Sequence, residues 1–356
     1  MYERALRAIN LQEVDGIPTA MVLVSNAEFV RRMTGLDMYG QTTEAFAKLY
    51  RILDVDFAFS VPTHESVESV EGTVYRDFDD RLTEGGFHVV WKGCRIAYTE
   101  RKSNVWIVER PFKTFEDLLG YLDNYDPLAD EPRSAHEIAE EYQRSFEKSQ
   151  NPVKNTTLIG GWWYLTLFQY ALMKIGWPFL ARLMFEEPNM LERLLDRFAE
   201  LSRRNVEAWS MTEIKVLGSH DDLATQLGPV ASPDWLRKNV ISRYSEIWKP
   251  AKEKGIKVIF ISDGNYEVLM DDIARAGADG FWAPDIPIST INLAERFTGR
   301  KIVAQGINHN VLMKGDQEQI LSEVGRSLDS VRAIPALFLF TLIYRTNYRC
   351  RRSTLI

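Results

Sequence analysis

Short apolar runs rich in β-branched residues recur along the chain, and the stretches between them carry apolar residues at three- and four-residue spacing. The runs are PTAMVLV from Pro18, VDFAFS from Val55, NTTLIGG from Asn155, IKVLGS from Ile214, KVIFIS from Lys257, DGFWAP from Asp279, KIVAQG from Lys301 and ALFLF from Ala336. A near-continuous apolar run is what a strand covered on both faces requires, and PDWLRKNVISRYSEIWKPAKEKG, before the fifth run, has the spacing of a helix lying on a sheet. Eight strands alternating with helices predict an α/β protein with a mainly parallel sheet. A closed (β/α)8 TIM barrel is the first expectation, and a doubly wound open sheet the second.

Between Val70 and Glu109 the period changes to two. EGTVYRDFDD, FHVVWKGCRIAY and NVWIVER alternate in polarity and are punctuated by Gly72, Gly86 and Gly93. This pattern predicts a β-hairpin insertion of about residues 70–110 after the second strand. A polar linker, DNYDPLADEPRS, follows, and then a helix near Ala135 with Ser134 at its N-cap. Residues 1–356 are therefore expected to form one barrel domain with the insertion at its mouth.

Composition narrows the class. At 45% hydrophobic and 26% charged residues the chain is globular, and its formal net charge of -7 leaves no basic surplus for nucleic acid or an anionic membrane. Cys94 and Cys350 lie far apart and in no metal-binding spacing, which argues against a disulfide framework or thiolate zinc and suits a reducing cytoplasm. The start, MYERALRAIN, has no apolar signal core, and Lys174 and Arg182 interrupt the most apolar later stretches, so no transmembrane segment is predicted.

Barrel enzymes carry their chemistry at the carboxyl ends of the strands, and that position filters the polar residues. It selects Ser219, His220, Asp221 and Asp222 after the fourth strand and Ser262, Asp263 and Asn265 after the fifth. Asp285 follows the sixth, and Gln305, Asn308 and His309 the seventh. Asp222 and Asp263, converging from adjacent strands, suit acid/base work or substrate hydrogen bonding; loop capping would use the same residues. His220 and His309 suit acid/base catalysis, or, with Asp222 or Asp263, a thiolate-free metal set; backbone-bonded loop histidines are the alternative. His64 follows the second strand and is placed at the mouth, while His88 and His136 read as structural. Gly160 and Gly161 leave room at the third strand end, and Trp162, Trp163 and Tyr164 offer flat walls for a planar ligand or simply pack a core. No nucleophile elbow, P-loop or GxGxxG motif occurs.

Several segments, in order, are similar to the uroporphyrinogen decarboxylase superfamily. They are ERALRAINLQEVDGIP, GTVYRDFDD with VVWK, TTLIGGWWYLTLFQY, FEEPNMLERLLDR, DDLATQLGPVASPDWLRKNV and KVIFISDGNYEVLMDDIARAGADGF, and they span almost the whole chain. The hairpin segment resembles the superfamily's corrinoid-dependent methyltransferase-like branch. That resemblance implies methyl transfer between a small methylated donor and a corrinoid, carried by a partner protein, or a folate. Asp263, Asn265 and Asp222 would orient or protonate the donor, and Tyr164 aligns with the family's substrate-contacting tyrosine; Trp163, Gly161, Gln305, Asn308 and His64 complete the binding set. A homodimer is compatible with the resemblance.

Three departures stand beside it. In place of the Arg-rich loop of uroporphyrinogen decarboxylases the chain has VLVSNAEFVRRMTG, with Arg31 and Arg32 in a helical setting. Where zinc-dependent methyltransferases place a His and a Cys after the fifth strand, the chain has IFISDGN with Ile261 and Ser262, so a thiolate zinc site is not expected. The end, LFLFTLIYRTNYRCRRSTLI, is atypical. The rival activities are decarboxylation of a porphyrinogen in tetrapyrrole biosynthesis, a lyase reaction with Asp56 or Asp263 as the central carboxylate, and a non-catalytic barrel that binds a corrinoid or partner protein.

Overall fold

A computed structural model gives the fold and describes residues 1–24, 26–62, 73–75, 87–91, 94–98, 105–124, 131–283, 293, 296–297, 299–306, 311, 315–331 and 337–343. Contacts divide the chain into two compact units. One comprises residues 1–64, 135–166 and 203–356, and the other residues 65–134 and 167–202.

The first unit is built on a parallel sheet. Its strands are β1 (Thr19–Val24), β2 (Phe57–Ala58), β7 (Leu158–Ile159), β8 (Gly161–Trp163), β9 (Val216–His220), β12 (Lys257–Ile261), β13 (Gly280–Ala283), β14 (Ile302–Gly306) and β15 (Leu337–Ile343). Each of the eight apolar runs supplies this sheet. The order is β7-β2-β1-β15-β14-β13-β12-β9-β8, and every pairing is parallel. Since β7 and β8 flank Gly160, the sheet begins and ends on the same short segment: Leu158 is in register with Phe57, and Trp162 with Gly218. Nowhere does the order reverse, so the switch point that defines a doubly wound sheet is missing among the described strands.

Alternation decides what each strand residue touches. Phe57, Phe59, Leu158, Val216, Ile259, Ile261, Trp282, Ile302 and Ala304 form one buried cluster, and Ala5, Ala8 and Ile9 of α1 (Tyr2–Ile9) pack into it. On the opposite face Met21, Val24, Ala58 and Ile159 meet Val30 of α2 (Ala27–Thr34) and Phe46, Leu49 and Tyr50 of α3 (Thr42–Ile52). Phe59 is central to the first cluster, with ring centroids 4.9 Å from Phe57, 4.7 Å from Trp162 and 5.3 Å from Trp282. Its bulk explains Gly218: a Cβ there would lie 2.6 Å from the Phe59 ring.

The second unit holds β3 (Thr73–Tyr75), β4 (Phe87–Trp91), β5 (Cys94–Tyr98) and β6 (Val105–Glu109), paired in that order as an antiparallel sheet. It also contains α4 (Phe115–Asp123), which opens on a Thr114/Asp117 capping box, where each side chain accepts the other residue's backbone amide. No helix among the described residues is long and apolar enough to cross a membrane.

Asp56 departs from its expected role. It lies one residue before β2, at the amino end of the strand, and is fully buried. Arg4 Nε and Nη2 donate to its two carboxylate oxygens at 2.9 and 2.8 Å, and the Thr19 amide adds a third bond at 2.8 Å. A carboxylate held this way ties α1 and β1 to β2 and leaves little for a ligand. Replacing Asp56 by Ala should destabilise the protein by about 3 kcal/mol, since it strands a partly buried guanidinium. A lower urea midpoint in equilibrium unfolding, at unchanged slope, is the expected result.

Candidate active site

The carboxyl end of β9 carries the polar side chains. Val216, Gly218 and His220 share the inner face, and β8 runs beside them with Trp162 in register with Gly218. Tyr164 continues that face: its ring centroid lies 4.5 Å from His220, edge-on at 76°, and the Trp162 ring lies 5.7 Å away. His220 is thus a buried imidazole between aromatic rings, while Tyr164 is 48% exposed.

His220 Nε2 lies 2.9 Å from Asp222 Oδ1, and the Asp263 amide donates to that same oxygen at 3.0 Å. Burial raises the Asp222 pKa, but the hydrogen bond and charge of His220, with the Asp263 amide, outweigh it and hold the carboxyl below its ordinary value. An ionised Asp222 can only accept, so Nε2 carries a proton and the lone pair of a neutral ring lies on Nδ1. His220 Nδ1 is buried and has no hydrogen-bond partner among the described residues. An imidazole fixed through one nitrogen by a carboxylate and open at the other can take up and release a proton.

The expected convergence of Asp222 and Asp263 takes another form, because Asp263 reaches Asp222 through its backbone amide and its side chain is exposed. The loop that presents it is pinned by Gly264, whose φ is +76° and whose Cβ, were there one, would fall 2.6 Å from the Thr225 backbone. Thr225 belongs to the hairpin of β10 (Ala224–Thr225) and β11 (Gly228–Pro229), and its carbonyl accepts from the Asn265 amide at 2.8 Å. Asn265 Oδ1 accepts from the Glu267 amide at 3.3 Å. This side chain therefore works within its own turn while lining a hollow of about 480 Å³ with Leu227, Pro229, Val268 and Arg296.

Two aromatic-segment expectations are corrected by the alternation. Gly161 faces outward, where a Cβ would meet Trp209 and Ile214 at 2.8 Å, so its missing side chain accommodates packing. Trp163 lies on that same outer side of β8, in register with Ser219, and Trp162 is the indole beside His220. Gln305 is in β14, paired through its backbone with Ala283 and Leu339. His64, Asp285, Asn308 and His309 lie outside the described residues. Among the described residues no group of three or more His, Cys, Asp or Glu is placed to hold a metal. The sequence places His220 with Asp222 only as part of a candidate metal set with His309; the direct hydrogen bond between them has its signal in His-x-Asp at a strand end, since residues two apart point the same way.

A model of the family described as uroporphyrinogen decarboxylase matches residues 89–340. No curated protein sequence matches the chain. Among solved structures, a methyltransferase from Methanosarcina mazei superposes with a TM-score of 0.64 at 17% identity, covering 96% of this chain and 93% of its own, which shows a shared fold. The catalytic domain of an endo-β-1,4-mannanase from Bacillus sp. JAMB-750 (14% identity, 64% of this chain and 67% of that one) reaches a TM-score of only 0.30, too low to indicate a common fold.

The lowered Asp222 pKa has a pH consequence. Its stabilising contribution is fully present above the ordinary aspartate value of about 3.9 and is lost as pH falls through the lowered folded value. The stability gap between wild type and Asp222→Asn should therefore be largest above about pH 4 and shrink below it. Urea unfolding at a series of pH values reads this directly, and a gap that widens in acid would contradict the assignment.

Proposed function

Because the chain belongs to the uroporphyrinogen decarboxylase family, we propose that it is a closed (β/α)8-barrel enzyme, with residues 70–110 inserted after the second strand, that moves a methyl group from a small methylated donor to a corrinoid or folate acceptor. Closure is supported by the sheet that starts and finishes on the 158–163 segment. The observation that carries the activity is the His220–Asp222 pair at a strand's carboxyl end, where a buried imidazole, bonded to the carboxylate through Nε2 and unbonded at Nδ1 among the described residues, lies beside an exposed tyrosine.

Removing a methyl group from a heteroatom leaves that atom with the bonding pair, and a proton delivered to it lowers the barrier. In this reading His220 Nδ1 holds that proton. Asp222 stabilises the charged ring before transfer and keeps the imidazole's orientation afterwards. Tyr164 and Trp162 wall the site and keep bulk water from the ring. A corrinoid on a partner protein would supply the methyl acceptor and the electron pair for the new carbon bond. After β12, Ser262 is buried and braces the rim, accepting from the Leu223 amide at 3.1 Å and donating to the Asp263 carbonyl at 3.0 Å, while the Asp263 side chain is left to handle substrate. Asp263 and Asn265 sit at the rim, where donor contacts are made, and the buried Cys94 suits a reducing cytoplasm.

The test incubates the protein with reduced cobalamin and a panel of methyl ethers, methylamines and methyl thioethers, following methylcobalamin by absorbance, with carbon dioxide release from uroporphyrinogen assayed in parallel. Methylcobalamin should form, and His220→Ala should slow it by about 10²–10⁴-fold at an unchanged fold, the range of a lost general acid. Carbon dioxide release without methyl transfer would overturn the reading in favour of a decarboxylase. Neither activity, with ligand binding unaffected in His220→Ala, would leave a binding protein.

A further inference from the structure

On β9 and just beyond it, His220 and Asp222 face the site, so Ser219 and Asp221 must point the other way. Both are fully buried, as are two residues of the helix α5 (Ser242–Glu253) packed there, Tyr244 and Trp248. Trp248 Nε1 donates to Ser219 Oγ at 2.9 Å, and the Tyr244 hydroxyl donates to Asp221 Oδ2 at 2.8 Å. The spacing explains the fit. Four residues along a helix rise about 6 Å and two residues along a strand about 6.6 Å, so one helical turn matches one strand repeat. The two rings are themselves stacked at 4.7 Å and 25°, with Phe260 of β12 against Tyr244. Ser219 passes the restraint on: its hydroxyl lies 2.7 Å from that of Thr166, whose amide donates to the His220 carbonyl at 3.2 Å.

We infer that Tyr244 and Trp248 are positioning residues that set the direction of the His220–Asp222 pair from behind the strand, Tyr244 acting through Asp221. The inference deepens the proposed function and rests on its reading of His220 as the proton carrier. Each outward side chain is fixed by a directional hydrogen bond, so the inward ones, one residue on, have their Cα–Cβ vectors fixed as well. Packing alone would stabilise the strand without holding one orientation of the imidazole.

Ring ¹⁵N shifts of His220, assigned by their loss in His220→Asn, test this without substrate and hence independently of methyl transfer. Read at alkaline pH, where the ring is neutral, wild type should show the tautomer protonated at Nε2. Tyr244→Phe keeps the stacked ring and deletes only the hydroxyl; it should move both ring nitrogens toward averaged tautomer values while the exposed His136 and the circular dichroism stay unchanged. Asp221→Asn keeps an oxygen that accepts from Tyr244 and should retain the wild-type signature. Should Tyr244→Phe fail to fold, Trp248→Phe carries the same comparison. A wild-type His220 signature in the folded Phe variants, or a shift in Asp221→Asn as large as in Tyr244→Phe, would overturn the inference. In the methyl-transfer assay Tyr244→Phe should lower kcat about tenfold at unchanged KM, the low end of what outer-shell partners contribute.

Discussion

A strand buried on both faces has no spare side-chain positions, and from Ser219 to Asp222 both faces are committed. The period of two sends His220 and Asp222 to one side and Ser219 and Asp221 to the other. Each inward residue is therefore held by the fate of its outward neighbours. Gly218 admits Phe59, the Phe59 ring seats Trp162, and Trp162 flanks His220, so the hydrophobic interior and the polar site are one continuous packing problem. The same arithmetic runs through β8, where Trp162 and Tyr164 face inward and Gly161 outward.

That constraint places the polar chemistry where burial makes it consequential. A carboxylate beside an imidazole in water would exchange partners freely; here Asp222 keeps His220 on one oxygen and receives the Asp263 amide on the same atom. The 222–225 segment and the turn after β12 are tied through Thr225, Gly264 and Asn265, so two neighbouring strand ends present one rigid rim. Rigidity at this rim is what the proposed proton transfer would need, because a misplaced donor loses rate steeply.

Much of this was legible in the sequence, because strands covered on both faces announce themselves as apolar runs. All eight runs carry strands of the parallel sheet, and the alternating stretch before Glu109 carries the antiparallel one. The candidate site was legible in the sequence as a set of polar residues at strand ends, but which of them touch was not. Asp222 reads equally well as a partner of Asp263 or of His220, and only the fold shows that Asp263 contributes its amide. Asp56 stands second in the VDFAFS run and so at its amino end, away from the face where chemistry is expected, but only the fold shows that Arg4, distant in sequence, reaches it. Gly161 and Trp163 were assigned to the ligand side because three consecutive aromatics conceal the alternation that sends the middle one outward. Asp221 reads in the sequence as one more loop acid, and only the fold shows that Tyr244, 23 residues away, donates to it.

The central claim is that His220 and Asp222 act as one unit in proton delivery. A double-mutant cycle on single-turnover methyl transfer with His220→Ala, Asp222→Asn and their combination tests it most directly. The account predicts strong non-additivity, with the double variant no slower than His220→Ala alone. Losses that multiply, each substitution acting as if the other residue were untouched, would contradict it.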